Sequence, residues 1–130
     1  MKKLSVQSHD HSQYINVTRV VQEAVTGLGV RDGAITLFVP HTTAGVTINE
    51  CADPDVVRDV LHALDRLVPW RDPAYRHGEG NSAAHVKAIM TGSSVRVLVA
   101  GGRLQLGAWQ GIFFCEYDGP RARELWVGAG

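Results

Sequence analysis

The segment Tyr75–His85 reads Tyr-Arg-His-Gly-Glu-Gly-Asn-Ser-Ala-Ala-His. His77, Glu79 and His85 stand within nine residues there, among glycines and small residues rather than the regularly spaced Val, Leu and Ile of a core segment. Neutral imidazoles are ligands for transition metals, and a carboxylate beside them can take a proton from water. Gly78 and Gly80 free the backbone for turns. Asn81 or Ser82 can cap a helix running through Ala83–Met90. His77 then lies on a loop and His85 in the first helical turn. A helix start also carries partial positive charge and unpaired N–H groups, so the same place can hold a phosphate or a carboxylate. A third histidine, His41, follows Pro40 at the end of an apolar run. Side chains at such a strand end emerge from a rigid scaffold. Its neighbours Thr42 and Thr43 can serve as β-formers or as hydroxyl donors to an anion. Strand end, loop and helix start are three elements, each able to aim one imidazole at a common point. Three imidazoles leave an open coordination position, as catalytic zinc sites do, with Glu79 as base or as a holder of one ligand. The competing reading is a polar turn cluster whose histidines only hydrogen-bond to one another.

The elements that must position these residues follow from hydrophobic period. Leu4–Gln7 alternates as a short opening strand, and His9 and His11 follow in a polar run read as loop or strand end. Val17, Val20, Val21, Ala24 and Val25 recur at helical spacing, capped by Asn16 or Thr18 and ended by Gly27 and Gly29. Ala34–Val39 is a buried strand and Val46–Asn49 a second one. Asp53-Pro54 opens a helix to Leu67 whose Val56, Val57, Val60, Leu61, Leu64 and Leu67 form an apolar stripe, expected to be core. His62 falls off that stripe, and Asp55 and Asp59 share its polar face. Val95, Val97 and Val99 mark a strand, Gly101-Gly102 a tight hairpin, and Leu104–Leu106 with Trp109–Tyr117 its partner. Leu125–Val127 is the last strand. The pattern predicts one domain over residues 1–130, of α+β class, with a mostly antiparallel sheet or sandwich flanked by helices.

Composition narrows the function. Lysine plus arginine equals aspartate plus glutamate, 13 each, which argues against a nucleic-acid or membrane-surface protein held by bulk charge. Two cysteines, Cys51 and Cys115, suit free thiols in a reducing cytoplasm. The first residues lack the apolar region of a secretory signal, and no run is long enough to span a membrane. A cytoplasmic protein is the expectation.

Four segments taken in order carry a family resemblance. They are His41-Thr42-Thr43-Ala44-Gly45-Val46-Thr47-Ile48-Asn49-Glu50, Asp53-Pro54-Asp55-Val56, His77 through Lys87, and Gly107-Ala108-Trp109-Gln110-Gly111-Ile112. Together they resemble the YjbQ-like family, also known as the secondary thiamine-phosphate synthase family. The resemblance implies an α+β domain assembled as a homotrimer, with a pocket near the histidines that holds a divalent metal, Zn or Mg. It implies a small phosphorylated substrate and the joining of a pyrimidine pyrophosphate to a thiazole phosphate. The matching positions are His41, His77, Glu79, His85, Lys87, Trp109, Gln110 and Glu116. His41, His77 and His85 are then the metal ligands, and Glu79, Lys87 and Gln110 the catalytic residues. Ala108 stands where the family usually has Thr, removing one hydroxyl. Lys87, Arg76 or Arg103 would help a divalent ion stabilise departing pyrophosphate. Three histidines suit Zn²⁺ better than Mg²⁺, so a metal-dependent hydrolase with Glu79 as base, or a metal or small-ligand binding protein, stands beside the transferase reading.

Overall fold

The structure, a computed structural model, describes residues 1–130. Two antiparallel sheets face each other. One has five strands in the order β1 (Lys2–Gln7), β8 (Ala122–Ala129), β3 (Gly33–Phe38), β5 (Ser94–Ala100) and β6 (Arg103–Leu104). The other has three, β2 (Gln13–Asn16), β7 (Gln110–Glu116) and β4 (Ala44–Glu50). Helices α1 (Thr18–Leu28), α2 (Pro54–Leu67) and α3 (Ser82–Thr91) complete the predicted α+β architecture.

The central strand β7 explains the layering. Its side chains alternate in direction, as in any strand, and both sets are buried. Ile112 and Phe114 join Ile35, Leu37, Val46, Leu125 and Val127 in the core that also takes the apolar face of α1. Phe113 and Cys115, with Tyr117 just beyond the strand, point the other way and pack on Ala84 and Ala88 of α3. That close seat needs small residues: a Cβ at Gly45 of β4 would stand 2.7 Å from the Gly92 carbonyl oxygen at the end of α3.

Helix ends follow their chemistry. Asp53 caps α2, its Oδ1 accepting from the Asp55 N–H at 2.9 Å. Gly29 ends α1 in the left-handed conformation at φ 71°. The hairpin Gly101-Gly102 has φ of 57° and 78°, the double positive φ that its twist requires.

Two expectations are corrected and one strand is added. Leu104–Leu106 and Trp109–Tyr117 are not one strand: β6 belongs to the five-stranded sheet and β7 to the three-stranded one, and residues 105–109 carry the chain across. Gln13–Asn16 forms β2, which its mixed polar sequence did not announce; it is held by pairing with Glu116–Phe113. The α2 stripe is not core. No residue of α2 is buried, and Leu67 is largely exposed. The helix instead leans on the outer face through Val57 and Leu64, leaving a shallow cavity of about 240 Å³ beneath it.

Lys87 ties α2 down. Its side chain is buried under α2, and its ammonium pairs with Asp65, whose carboxylate is mostly exposed. Removing the buried charge leaves only a solvated carboxylate, whereas removing the carboxylate leaves an uncompensated buried ammonium. Urea unfolding should therefore show Asp65→Ala losing about 2–3 kcal/mol and Lys87→Met less than about 1 kcal/mol. The reverse order would contradict this role.

Candidate functional site

At one end of the sandwich the inner-face alternation turns polar. Leu125 and Val127 of β8 are core, and Arg123 continues the same side of the strand. On β7, Ile112 and Phe114 are followed by Glu116, and on β1 Val6 is followed by Ser8. Glu116 and Arg123 therefore meet between the sheets. The guanidinium Nε donates to Glu116 Oε1 at 2.8 Å, and Nη2 donates to Oε2. The Ser8 hydroxyl donates to Oε1 at 2.7 Å and the Asp118 N–H to Oε2 at 3.1 Å. Arg123 Nη2 also donates to Thr43 Oγ1 at 2.9 Å. Burial alone would raise the Glu116 carboxyl, but the hydrogen bonds from Arg123, Ser8 and Asp118 outweigh it and hold Glu116 below its ordinary 4.5.

On this polar plug sits a cavity of about 440 Å³ whose lining is polar apart from the ring of Pro40. Its walls are the β3–β4 connection (Pro40–Thr43), the Gly-rich loop with the start of α3 (His77, Glu79, Asn81, His85), and the β7–β8 end (Asp118, Arg121, Arg123). His41, His77, Glu79 and His85 thus line one cavity, although they come from distant parts of the chain. The rings of His77 and His85 stand 5.5 Å apart, nearly perpendicular. Two imidazoles on one zinc ion, with Zn–N of about 2.0–2.1 Å and tetrahedral angles, set their ring centres about 5.2 Å apart. The His77–His85 ring spacing is close to that value.

His41 is held differently. Strand β3 ends at Phe38, opposite Trp126, so β8 has an unpaired N–H beyond that point. The Glu124 N–H donates to His41 Nε2 at 2.9 Å, extending the ladder with a side chain. Burial, then the nearby Arg123 charge, lowers the His41 pKa below 6.5. The ring is therefore neutral at pH 7, with its proton on Nδ1, and its metal-binding lone pair is engaged by Glu124. No three His, Cys, Asp or Glu side chains converge closely enough to hold an ion. The three histidines share a cavity without meeting at a point.

Lys87 and Gln110 do not line this cavity. Lys87 faces Asp65. Gln110 sits at the start of β7, where its Oε1 accepts from the Gly107 N–H at 2.8 Å. Arg76 and Arg103 are also absent from the lining, and Arg121 and Arg123 supply its positive charge instead. Sequence reasoning missed Asn81 as a lining residue, Asp118 and both arginines. Arg123 had a signal in its i, i+2, i+4 relation to Leu125 and Val127. Asp118 had none, because it depends on a turn. Asp118 is the junction of this wall: Oδ2 accepts from Asn81 Nδ2 at 2.8 Å and from Arg121 Nη2 at 2.9 Å. His11 stands 3.9 Å from Oδ1. The cysteines are free, and burial pushes the Cys115 thiol up to about 12, so it is no nucleophile at neutral pH.

Two antiparallel sheets with three helices define a small α+β domain that carries a histidine-lined polar cavity at one end of the sandwich. The family described as UPF0047 protein YjbQ-like matches residues 2–129, and the chain belongs to that family. The UPF0047 protein YugU of Bacillus subtilis is 46% identical over 127 residues, covering 98% of this chain and 96% of that one. A UPF0047 protein of Methanocaldococcus jannaschii is 42% identical over 96% of this chain and 90% of its own. Among solved structures, an uncharacterized conserved protein of the same family from Clostridium acetobutylicum superimposes with a TM-score of 0.97 at 48% identity over the whole of both chains. A conserved hypothetical protein from Thermus thermophilus does so at 0.94 and 45%, again over the whole of both. No helix is long and apolar enough to cross a membrane.

The plug makes a pH prediction. A carboxylate whose folded pKa is depressed stabilises the fold fully above its unfolded value, and that stability is lost as pH falls through the folded value. Chemical unfolding followed against pH should show wild type weakening progressively below pH 4.5. Glu116→Gln should be less stable by about 3 kcal/mol at pH 7 and show a flatter decline in acid. An unchanged acid limb in the variant would mean that other carboxylates set it.

Proposed function

We propose that this protein is an enzyme acting on a small phosphorylated organic molecule in the His41, His77, His85 cavity, with a divalent metal held by His77 and His85. The supporting observation is the cavity lining itself: three histidines, Glu79, Asp118 and two arginines, with Pro40 as its one apolar ring. Arg121 and Arg123 are each paired with a carboxylate, Asp118 and Glu116, so the imidazoles and the metal they would hold carry the attraction for phosphate. Two imidazole ligands favour Zn²⁺ or a similar transition ion over Mg²⁺. Such an ion, when bound, polarises a phosphoryl oxygen. Glu79, exposed and only 3.5 Å from its nearest partner, Asn81 Nδ2, is free to take the proton of an attacking water. His41 presents its Nδ1–H as a fixed donor to charge developing on the phosphoryl group, rather than acting as a third ligand. This reading is hydrolysis of a phosphate ester, and it dispenses with Lys87 and Gln110.

Transfer of the thiamine-phosphate synthase type is the second reading, and one feature favours it. Beyond His41, Thr42 and His85 the polar cavity adjoins a second of about 340 Å³, lined in part by Ala44, Ala88 and Ile89. A phosphate in the first chamber would leave a heterocycle against the apolar wall of the second. A homotrimer is proposed with either reading: Val86, Ile89 and Met90 leave an exposed apolar stretch on α3 beside the site, with Ile89 81% accessible, that a second copy would cover, and the number three is what the family resemblance implies.

With Zn²⁺ supplied, a phosphate monoester such as p-nitrophenyl phosphate should turn over, and Glu79→Gln should lower kcat at least about a hundredfold. His77→Ala and His85→Ala should weaken Zn²⁺ binding by at least about tenfold, while His62→Ala, on exposed α2, should not. Pyrophosphate released from the pyrimidine substrate only when thiazole phosphate is present would establish transfer instead. Absence of both activities with any divalent ion would end the enzyme reading. Light scattering should give three times the 14.1 kDa chain mass, and a monomer would reject the trimer.

A further inference from the structure

Asn81 carries an anomaly that its position alone does not explain. It precedes α3 as N-cap residue, where an asparagine Oδ1 ordinarily accepts a first-turn N–H. Here the side chain makes no capping bond. The residue is only 5% exposed, and its Oδ1 is the one buried side-chain polar atom without a hydrogen-bond partner. The amide orientation is fixed by its neighbours. Nδ2 donates to Asp118 Oδ2 at 2.8 Å and faces Glu79 Oε2 at 3.5 Å. Both are carboxylates, which when ionised only accept, so the amide oxygen cannot take that side. Asp118 is itself held by its N–H bond to buried Glu116 and by Arg121. The amide is thus locked with an unsatisfied acceptor at the wall of the cavity.

Resting on the proposed phosphate site, we infer that Asn81 is the specificity-determining residue of that site. It selects a phosphorylated molecule that carries a free hydroxyl next to its phosphate-bearing carbon. The phosphate lies at the start of α3, where the Ser82 and Ala83 N–H groups have no acceptor, the Ala84 N–H being taken by the Asn81 carbonyl at 3.0 Å, and where the helix end carries partial positive charge. The hydroxyl of the same ligand donates to Asn81 Oδ1, which has no protein donor. A second anionic oxygen cannot occupy that position, because an acceptor would face an acceptor. Asn81 closes the Gly-rich loop before α3, so a ligand that reaches its buried Oδ1 must displace that loop while the bond from Nδ2 to Asp118 holds the amide in place. Gly78 and Gly80 have open space around them, and Gly80 already uses φ of 71°. A site that hydrogen-bonds a substrate hydroxyl rejects the analogue lacking it, since its own polar group is then left unpaired.

The test is calorimetric, on the full chain with Zn²⁺ present, using inorganic phosphate, ethyl phosphate and 2-hydroxyethyl phosphate. Wild type should bind 2-hydroxyethyl phosphate at least about tenfold more tightly than ethyl phosphate. Asn81→Leu should lose that preference, the ratio of its affinities for the two esters falling to about one whatever happens to its affinity for inorganic phosphate. Equal binding of the two esters by wild type overturns the inference and leaves the phosphate site standing. A preference that survives in Asn81→Leu also overturns it. If none of the three ligands binds, the phosphate reading fails and the inference falls with it. The wild-type comparison of the two esters stands even if the variant does not fold.

Discussion

A carboxylate and a guanidinium buried between two sheets hold the functional end of this molecule together. Glu116 comes from the three-stranded sheet and Arg123 from the five-stranded one, so their fork of hydrogen bonds is also a joint between layers. Burying such a pair is costly unless every remaining lone pair and proton finds a partner. Ser8, the Asp118 N–H and Thr43 meet most of that demand. Each of these partners is itself at the edge of the cavity or next to a residue that is. The stability of the sandwich end and the shape of the site are therefore one problem with one solution.

From that joint the geometry passes outward along short contacts. Asp118 receives its N–H orientation from Glu116 and fixes Asn81, and Asn81 begins the helix that carries His85. Arg123 grips Thr43, two residues from His41, and the charge of Arg123 together with burial favours neutral His41. The Gly-rich loop bearing His77 and Glu79 is the exposed part of the wall, with room for a side chain at Gly78 and Gly80. Two walls of the site are thus tied into the buried joint by hydrogen bonds, and the third is an exposed loop. That arrangement suits a pocket that must admit a charged ligand and then satisfy its polar groups.

Much of the fold was legible because the period of the sequence matched the burial it produced. The strand pattern of Val95, Val97 and Val99 and the caps Asp53-Pro54 and Gly29 all correspond to elements of the structure. Period alone misled at α2, where an amphipathic stripe signals a face but not how deeply that face is buried. It also misled at Leu104–Tyr117, where both strands are apolar and only the tertiary arrangement assigns each to its sheet. At the site, His41, His77, Glu79 and His85 stood out by type and by their glycine-rich or strand-end settings, and they do line one cavity. Lys87 stood out through resemblance only, and Asp65 claims it. Asp118 and Asn81 were hidden because their roles depend on a hydrogen bond between residues 37 apart in sequence, which no local pattern announces.

The central claim is that His77 and His85 hold a metal beside a phosphate-binding helix start. A crystal structure grown with Zn²⁺ and inorganic phosphate, with data collected on both sides of the zinc edge, tests it most directly. The account predicts an anomalous peak within about 2.0–2.1 Å of one nitrogen from each of His77 and His85. It also predicts phosphate at the first turn of α3 and His41 still bound to the Glu124 N–H. A cavity without zinc at saturating concentration, or zinc bound only elsewhere on the chain, would contradict it.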